Sequence, residues 1–310
     1  MPKVSVIIPA YNHARFLGEA IGSVLAQSFQ DFELIVVDDG SIDNTKEVAA
    51  SFQDNRVRYI HQQNRGVAAA QNVGVRNSSG EYVAILGADD VWLPRKLELQ
   101  VELLDSRPEI ALVCSDFYIF DDRTGAVLGR FWHNEPFGYR VNAEKASRRP
   151  LTEMLSRGCF IAPQVAMVRR WVFNEVGCFD ESLRAYEDWD MFVRIVQRFA
   201  IGTIDMPLAK NRKHGGNMSG DWRQMGEAAE IVYNKALEKY SLQPDDRRIV
   251  RRRLARRRSD YGRHLIVDGE KALGRRKLLS SIKLYPWRLR PYVWLAGSFL
   301  KSKFVLNLGS

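Results

Sequence analysis

Two acidic pairs occupy places where chemistry is done. Asp38-Asp39 ends the run FELIVVDDGS, and Asp89-Asp90 ends the run EYVAILGADD. Each follows a short, β-branched, nearly all-apolar stretch that reads as a buried parallel strand. Carboxylates just beyond the C-terminal ends of such strands lie in the crevice where open α/β sheets take ligands. Four carboxylates at one sheet edge repel one another, so a cation or hydrogen-bond donors must balance them. A hard divalent ion that keeps waters and bridges a diphosphate suits that arrangement. Asp39 would accept hydrogen bonds from a base or ribose, and Tyr11, after the first strand, offers a stacking face. Taken singly, Asp39 and Asp43 also fit as turn and cap residues; the repetition of the pair favours a ligand.

A third acidic group, Glu187-Asp188-Trp189-Asp190, opens a helix. Carboxylates in a first turn are favoured by the helix dipole, which explains them without any function. The functional alternative is a general base taking a proton from an acceptor hydroxyl. His214 precedes Gly215-Gly216. A lone histidine is commonly structural, yet the glycine pair suits a loop that closes over a ligand.

These residues need elements to hold them. Val4, Val6 and Ile8 begin a strand closed by Pro9, and Leu17, Ile21, Val24 and Leu25 recur at helical spacing. Strands over 32–37, 57–60, 82–86 and 111–115 alternate with helices over 66–77 and from Pro94 to about Ser106, with Asp43 or Asn44 capping one more. The alternation predicts a doubly wound, mostly parallel sheet flanked by helices. Near Asp116 the pattern changes to a hairpin around Asp121–Gly125. A helix over 152–155, a strand over 164–168, an amphipathic helix over 188–199 and a strand over 201–206 follow. Beyond about residue 220 only helices are expected, which divides the chain into 1–220 and 221–310.

The 310 residues suffice for one large core with an appendage. Cys114, Cys159 and Cys178 lie in apolar surroundings without metal-ligand spacing and read as reduced core thiols. The start, MPKVSVIIPAYN, lacks the apolar core of a signal peptide, and no window approaches a membrane span of roughly 20 apolar residues. A cytoplasmic, reducing location is expected.

The runs VSVIIPAYN, FELIVVDDGSIDNT, GVAAAQNVGV, GEYVAILGADDVWLP and FDESLRAYEDWD, in this order over residues 3–220, resemble the family 2 glycosyltransferases. The resemblance implies a GT-A fold, Rossmann-like, with an α-helical C-terminal extension. It implies inverting transfer of a sugar from a nucleoside-diphosphate sugar, UDP foremost, to a hydroxyl. By resemblance, Pro9, Ala10, Tyr11, Asn12, Asp38, Asp39, Gly66, Gln71, Asn72, Ala88 and Asp89 belong to the nucleotide site. Asp89, Asp90 and His214 would hold a divalent metal, Mn2+ or Mg2+. Asp188 matches the catalytic base, and Glu187 and Trp189 lie on the acceptor or donor-sugar side. The chain departs from the pattern twice. Gly87 stands at the first acidic position of the metal motif, so weakened metal binding is expected. Gln71 stands where an arginine usually precedes Asn72, which removes a cation from the donor site. A catalytically inactive relative that binds nucleotide or glycan is the alternative these departures raise.

The net charge is +9, and much of the excess is the arginine-rich run 247–258. Val250, Leu254, Tyr261 and Leu265 form one stripe of a cationic amphipathic helix. Further on, Leu278, Leu279, Ile282, Leu284, Trp287, Leu289, Tyr292, Val293, Trp294, Leu295, Phe299 and Leu300 mix with Lys283, Arg288 and Arg290. Three readings stay open: helices that only pack on the catalytic domain, contact with an anionic membrane surface, and nucleic-acid binding, the least favoured because no nucleic-acid module accompanies the charge. Membrane contact on the inner face would suit a lipid-linked glycan acceptor in bacterial polysaccharide or lipopolysaccharide assembly. The stretch from Phe131 to Gly158 is expected to border the acceptor site.

Overall fold

The apolar runs become strands because Val and Ile pack well on a pleated, buried surface. In the computed structural model, which describes residues 1–133, 150–157 and 159–299, strands β1 (Val4–Ala10), β2 (Phe32–Asp38), β3 (Val57–His61) and β4 (Tyr82–Ile85) pair in parallel in the order β3-β2-β1-β4. Val4, Val6, Ile8, Leu34 and Val36 share one core with Leu17, Ile21 and Val24 of helix α1 (Ala14–Leu25). Helix α3 (Val67–Arg76) lies close against β1; a Cβ on its Gly74 would fall 2.3 Å from Ile7 Cγ2. Between them, α2 (Thr45–Ala50) follows β2. The expected cap, Asp43, serves two helices: it accepts from Thr45 N (3.1 Å) and from Ala14 N (3.0 Å).

Beyond β4 the sheet stops being parallel. β5 (Val91–Trp92), α4 (Lys96–Ser106), β6 (Ile110–Asp121), β7 (Val127–Arg130), α5 (Pro150–Arg157), β8 (Ala166–Arg169), α6 (Val172–Val176), α7 (Glu187–Val196) and β9 (Ala200–Lys213) complete the first unit. The order continues β4-β8-β6-β9-β5, with β8 antiparallel to both neighbours, β6 parallel to β9, β5 antiparallel to β9 and β7 hung on β6. The sheet expected to be mostly parallel is therefore a mixed one, parallel across β3-β2-β1-β4. The expected break at Asp116 is corrected: β6 runs through it. Asp116 is fully buried and accepts from Phe117 N (2.7 Å), Trp132 N (2.9 Å) and Arg130 Nε (2.9 Å), so its charge is met inside the strand.

The chain forms two compact units, 1–215 and 216–310, divided between Gly215 and Gly216 and so ahead of the boundary expected at 220. In the second unit, α8 (Trp222–Lys239) is capped by Asp221, which accepts from Arg223 N and Gln224 N (both 3.0 Å). Helices α9 (Pro244–Val267), α10 (Lys271–Leu284) and α11 (Arg290–Gly297) follow. Gly262 and Gly274 let α9 and α10 approach closely; a Cβ on either would fall within 3.0 Å of the other's carbonyl oxygen. The stripe Val250, Leu254, Tyr261 and Leu265 is buried. Among the described residues no helix is long and apolar enough to cross a membrane. Leu300 and most of the 131–158 stretch (134–149 and 158) lie outside the described residues.

Candidate active site

The carboxyl ends of β1, β2 and β4 all open at one edge because these strands are parallel. Pro9 and Ala10 close β1, and Ala10 O accepts from Asp39 N at 2.8 Å. The next turn is Tyr11-Asn12-His13. Asn12 takes a left-handed φ of 54°, which asparagine tolerates better than most residues. Its N–H donates to Ser41 Oγ and its Oδ1 accepts from Ile42 N, both at 2.9 Å. The loops after β1 and β2 are thereby laced together, and Tyr11 stays 45% exposed, its ring open to stacking.

Asp38 and Asp39 divide their tasks. Asp38 is buried and accepts from Ser41 N (2.8 Å) and Tyr59 Oη (2.5 Å). Burial opposes its charge, but the bonds from Ser41, Tyr59 and His61 prevail and hold its pKa below the ordinary carboxylate value. Asp38 thus braces the loop. Asp39 reaches across to the start of α3, accepting from Gln62 Nε2 (2.6 Å), Arg65 N (2.9 Å) and Gly66 N (2.7 Å). Gly66 has φ 93°, a conformation that glycine adopts without strain. A carboxylate has roughly four lone-pair sites, so these bonds leave Asp39 capacity for a ligand.

Helix α3 carries the next two residues. Asn72 is committed to the chain: its Oδ1 accepts from Phe179 N (2.9 Å), and its Nδ2 donates to Phe179 O (2.9 Å) and Glu181 Oε1 (3.0 Å). It positions the segment leading into α7. Gln71, buried beside it, hydrogen-bonds the Glu187 side chain, while its Oε1 has no partner among the described residues. The missing arginine is thus replaced by an amide that links α3 to the acidic helix.

Helix α7 starts from Tyr186, held at φ 63°. Such a conformation is costly for an aromatic residue and persists where surrounding structure enforces it, commonly at functional sites. Asp188 is half-buried in the first turn and accepts from Trp189 N at 2.7 Å. Burial raises its pKa above the ordinary carboxylate range, against the pull of that bond. Glu187 is buried and raised too, first by burial and then by the negative charge of Asp188, with the Gln71 bond working the other way. Trp189 is buried and packs the helix down. Carboxylates whose proton affinity burial has raised mark a candidate functional site.

A second group forms around Asp89, after β4. His13, Asp89 and His214 bring one ligand atom each to within 4.8 Å of one another. His214 Nε2 lies 3.1 Å from Asp89 Oδ2. His13 Nδ1 lies 2.7 Å from Tyr11 O, so that nitrogen carries the proton and Nε2 offers a lone pair. A backbone partner of this kind commonly orients metal-ligating histidines. Two imidazoles and a carboxylate fit a divalent transition ion. Asp90, expected as a ligand, lies outside that group of three: it is buried and accepts from Arg212 N (2.9 Å) and Asn211 Nδ2 (3.0 Å), and its pKa is raised by burial and then by Asp89. It anchors β9 beneath the group. Ala88 is buried. Gly87 permits the tight approach, since a Cβ there would meet Asp89 Oδ1 at 2.9 Å.

Two residues escaped the sequence reading. His13 had a visible signal, an imidazole immediately after Tyr11-Asn12. Arg212 had none. Buried in β9, it donates to Asp89 O (2.9 Å) and Asp122 (3.1 Å), pairs with Glu19 and lies over the rings of Phe16 and Phe120.

The sequence model described as "Glycosyl transferase family 2" matches residues 5–177. An uncharacterized glycosyltransferase of Rickettsia felis is 33% identical over 238 residues; the alignment covers 76% of this chain and 38% of that protein. The chain thus spans well under half the length of that relative. The Escherichia coli UDP-Glc:alpha-D-GlcNAc-diphosphoundecaprenol beta-1,3-glucosyltransferase WfgD is 30% identical over 155 residues, covering 50% of this chain and 60% of that one. Among solved structures, S. aureus TarS 1-349 in complex with UDP-GlcNAc superposes with a TM-score of 0.69 at 20% identity, over 98% of this chain and 89% of that one. The mannosyltransferase PcManGT from Pyrobaculum calidifontis, in complex with GDP-Man and Mn2+, gives 0.60 at 18% identity over 98% and 85%. Both share the GT-A fold with this chain, and the order of motifs, the sheet and the family match together establish that the chain belongs to glycosyl transferase family 2.

Proposed function

We propose that this chain is an inverting glycosyltransferase that moves a sugar from a nucleoside-diphosphate sugar to an acceptor hydroxyl. The observation that carries the proposal is Asp188: a half-buried carboxylate on a helix N-terminus whose affinity for a proton is raised by burial. The acceptor oxygen attacks the anomeric carbon, its proton passes to Asp188, and the bond from that carbon to the diphosphate breaks on the opposite face. One displacement through an oxocarbenium-like state inverts the centre. Tyr11 and Asp39 take the nucleoside, and Glu187 and Trp189 shape the sugar side.

His13, Asp89 and His214 would hold the divalent ion, which supplies charge neutralisation for the departing diphosphate. Two imidazoles beside one carboxylate suit a transition ion better than Mg2+, and Mn2+ is preferred in line with the ion named for PcManGT. UDP is the preferred nucleotide, in line with the donors named for WfgD and TarS. A lipid-linked glycan in polysaccharide or lipopolysaccharide assembly is the preferred acceptor, met on the cytoplasmic face of the membrane; the acceptor named for WfgD is of that class. A thermal-shift panel of UDP, GDP, dTDP and CDP with and without manganese tests the donor site. Nucleotide binding by the wild type without transfer from any common sugar donor would sink the enzyme reading.

A further inference from the structure

The second unit carries none of the residues placed in the candidate active site. Residues 216–310 carry 21 of the chain's 46 Lys and Arg but only 9 of its 37 Asp and Glu, a surplus of +12 where the whole chain has +9. The apolar stripe of the arginine-rich helix α9 is spent inside the bundle. Helix α11 is different. Pro291, Trp294 and Gly297 are buried on one side. On the other, Leu289 (77% exposed), Tyr292, Val293 and Ala296 are all exposed. Their spacing of i, i+3, i+4 and i+7 makes one continuous face. Trp287, 83% exposed, stands one turn ahead of it. Scattered apolar residues need no explanation, but an aligned stripe does.

Guanidiniums crowd beside this stripe. Arg252 and Arg256, one turn apart on α9, and Arg290 at the start of α11 are exposed. Arg252 lies 5.8 Å from the Tyr285 ring centroid, and Arg256 is 3.7 Å from Asp260. Arg288, between Trp287 and Leu289, is half-buried, and its Nε has no hydrogen-bond partner among the described residues. Burial lowers its pKa; Asp260 opposes that, while Arg256, Arg290 and Arg252 add to it by repulsion. The four guanidiniums outnumber Asp260, and that surplus of positive charge suits an anion. An apolar stripe edged by Trp and Tyr, with such a cluster beside it, matches the layered chemistry of a headgroup interface.

We propose that the α11 stripe and Trp287 dock on an anionic phospholipid surface, with Arg252, Arg256, Arg288 and Arg290 engaging the headgroup phosphates. The surface is distinct from the catalytic residues and rests on the glycosyltransferase reading only for the side of the membrane. Sedimentation of the full chain with vesicles tests it independently of transfer. Vesicles of phosphatidylglycerol and phosphatidylcholine are expected to bind the wild type, and pure phosphatidylcholine to bind it weakly. Arg256→Gln/Arg288→Gln/Arg290→Gln is expected to lower partitioning by about two orders of magnitude. Leu289→Ser/Val293→Ser, both exposed positions, is expected to abolish the Trp287 blue shift, read as the difference from Trp287→Phe. Because Arg288 is half-buried, Arg256→Gln/Arg290→Gln is measured beside the triple variant. Millimolar inorganic phosphate should not compete with vesicles; full competition would make the cluster a free-anion site and overturn the proposal. So would unchanged partitioning of the arginine variants, tighter binding to oligonucleotides than to vesicles, or a dimer that Leu289→Ser/Val293→Ser dissociates.

Discussion

The two units handle charge in opposite ways. Residues 1–215 carry a net −3 and residues 216–310 a net +12. The first unit draws ionisable groups inward: Asp38, Asp90, Asp116, Glu187 and Arg212 are all buried, each inside a set of hydrogen bonds or ion pairs. A buried charge is costly unless paired, and pairing fixes geometry. The second unit leaves most arginines at its surface and uses its apolar residues and small residues to pack. One arrangement holds reacting groups at set positions; the other presents a field that falls off within a Debye length. The lesson is that a strongly basic chain need not have a basic active site.

The largest effect should come from the first unit. Asp188→Asn is expected to cut kcat by about 10²–10⁴-fold while nucleotide binding, read by thermal shift, persists; equal loss of both would make Asp188 structural. The base must be unprotonated to work. The wild-type rate should therefore rise with pH, with a midpoint above the ordinary carboxylate pKa of about 4, as expected for a group raised by burial. A limb centred at or below that value would remove the raised base.

Next, Asp39→Asn should destabilise the first unit by about 1–3 kcal/mol. It weakens charge-assisted bonds from Arg65 N and Gly66 N, and denaturant melts should show a loss of nucleotide affinity in step. In the second unit, Asp221→Ala removes the cap of α8 and should cost about 1 kcal/mol, without changing nucleotide affinity. The smallest response should be that of sugar transfer to salt. Near 1 M, where the Debye length is about 3 Å, vesicle binding should collapse. Transfer to a soluble acceptor analogue should change by no more than about twofold, since the buried groups of the first unit are shielded already. Parallel loss of both would erase the contrast between the units.

Much of the fold was legible because parallel buried strands have a plain pattern. The FELIVVDDGS and EYVAILGADD runs placed β2 and β4 and their acidic ends. The antiparallel insertion of β8 was not legible, since a four-residue apolar strand looks the same in either direction. Nor was the continuity of β6 through Asp116, because the pattern changes there and the donors that satisfy it, Trp132 and Arg130 among them, are distant in sequence. Lys96 also lacked a sequence signal: it is fully buried, 3.9 Å from the Trp92 ring centroid and donating to Gln100 Oε1 at 2.7 Å.

The sequence by itself determined the family, the carboxylates available for binding and proton transfer, and the basic helical end. Those depend on residue type and local spacing, which the chain states directly. The tertiary structure decided which carboxylate does which task. Asp38 and Asp39 are neighbours with the same chemistry, as are Asp89 and Asp90, yet one of each pair braces a loop or strand and the other belongs to the proposed ligand site. That choice depends on which distant N–H groups and imidazoles arrive beside each oxygen, and folding alone brings Tyr59, Gly66, His214 and Arg212 there.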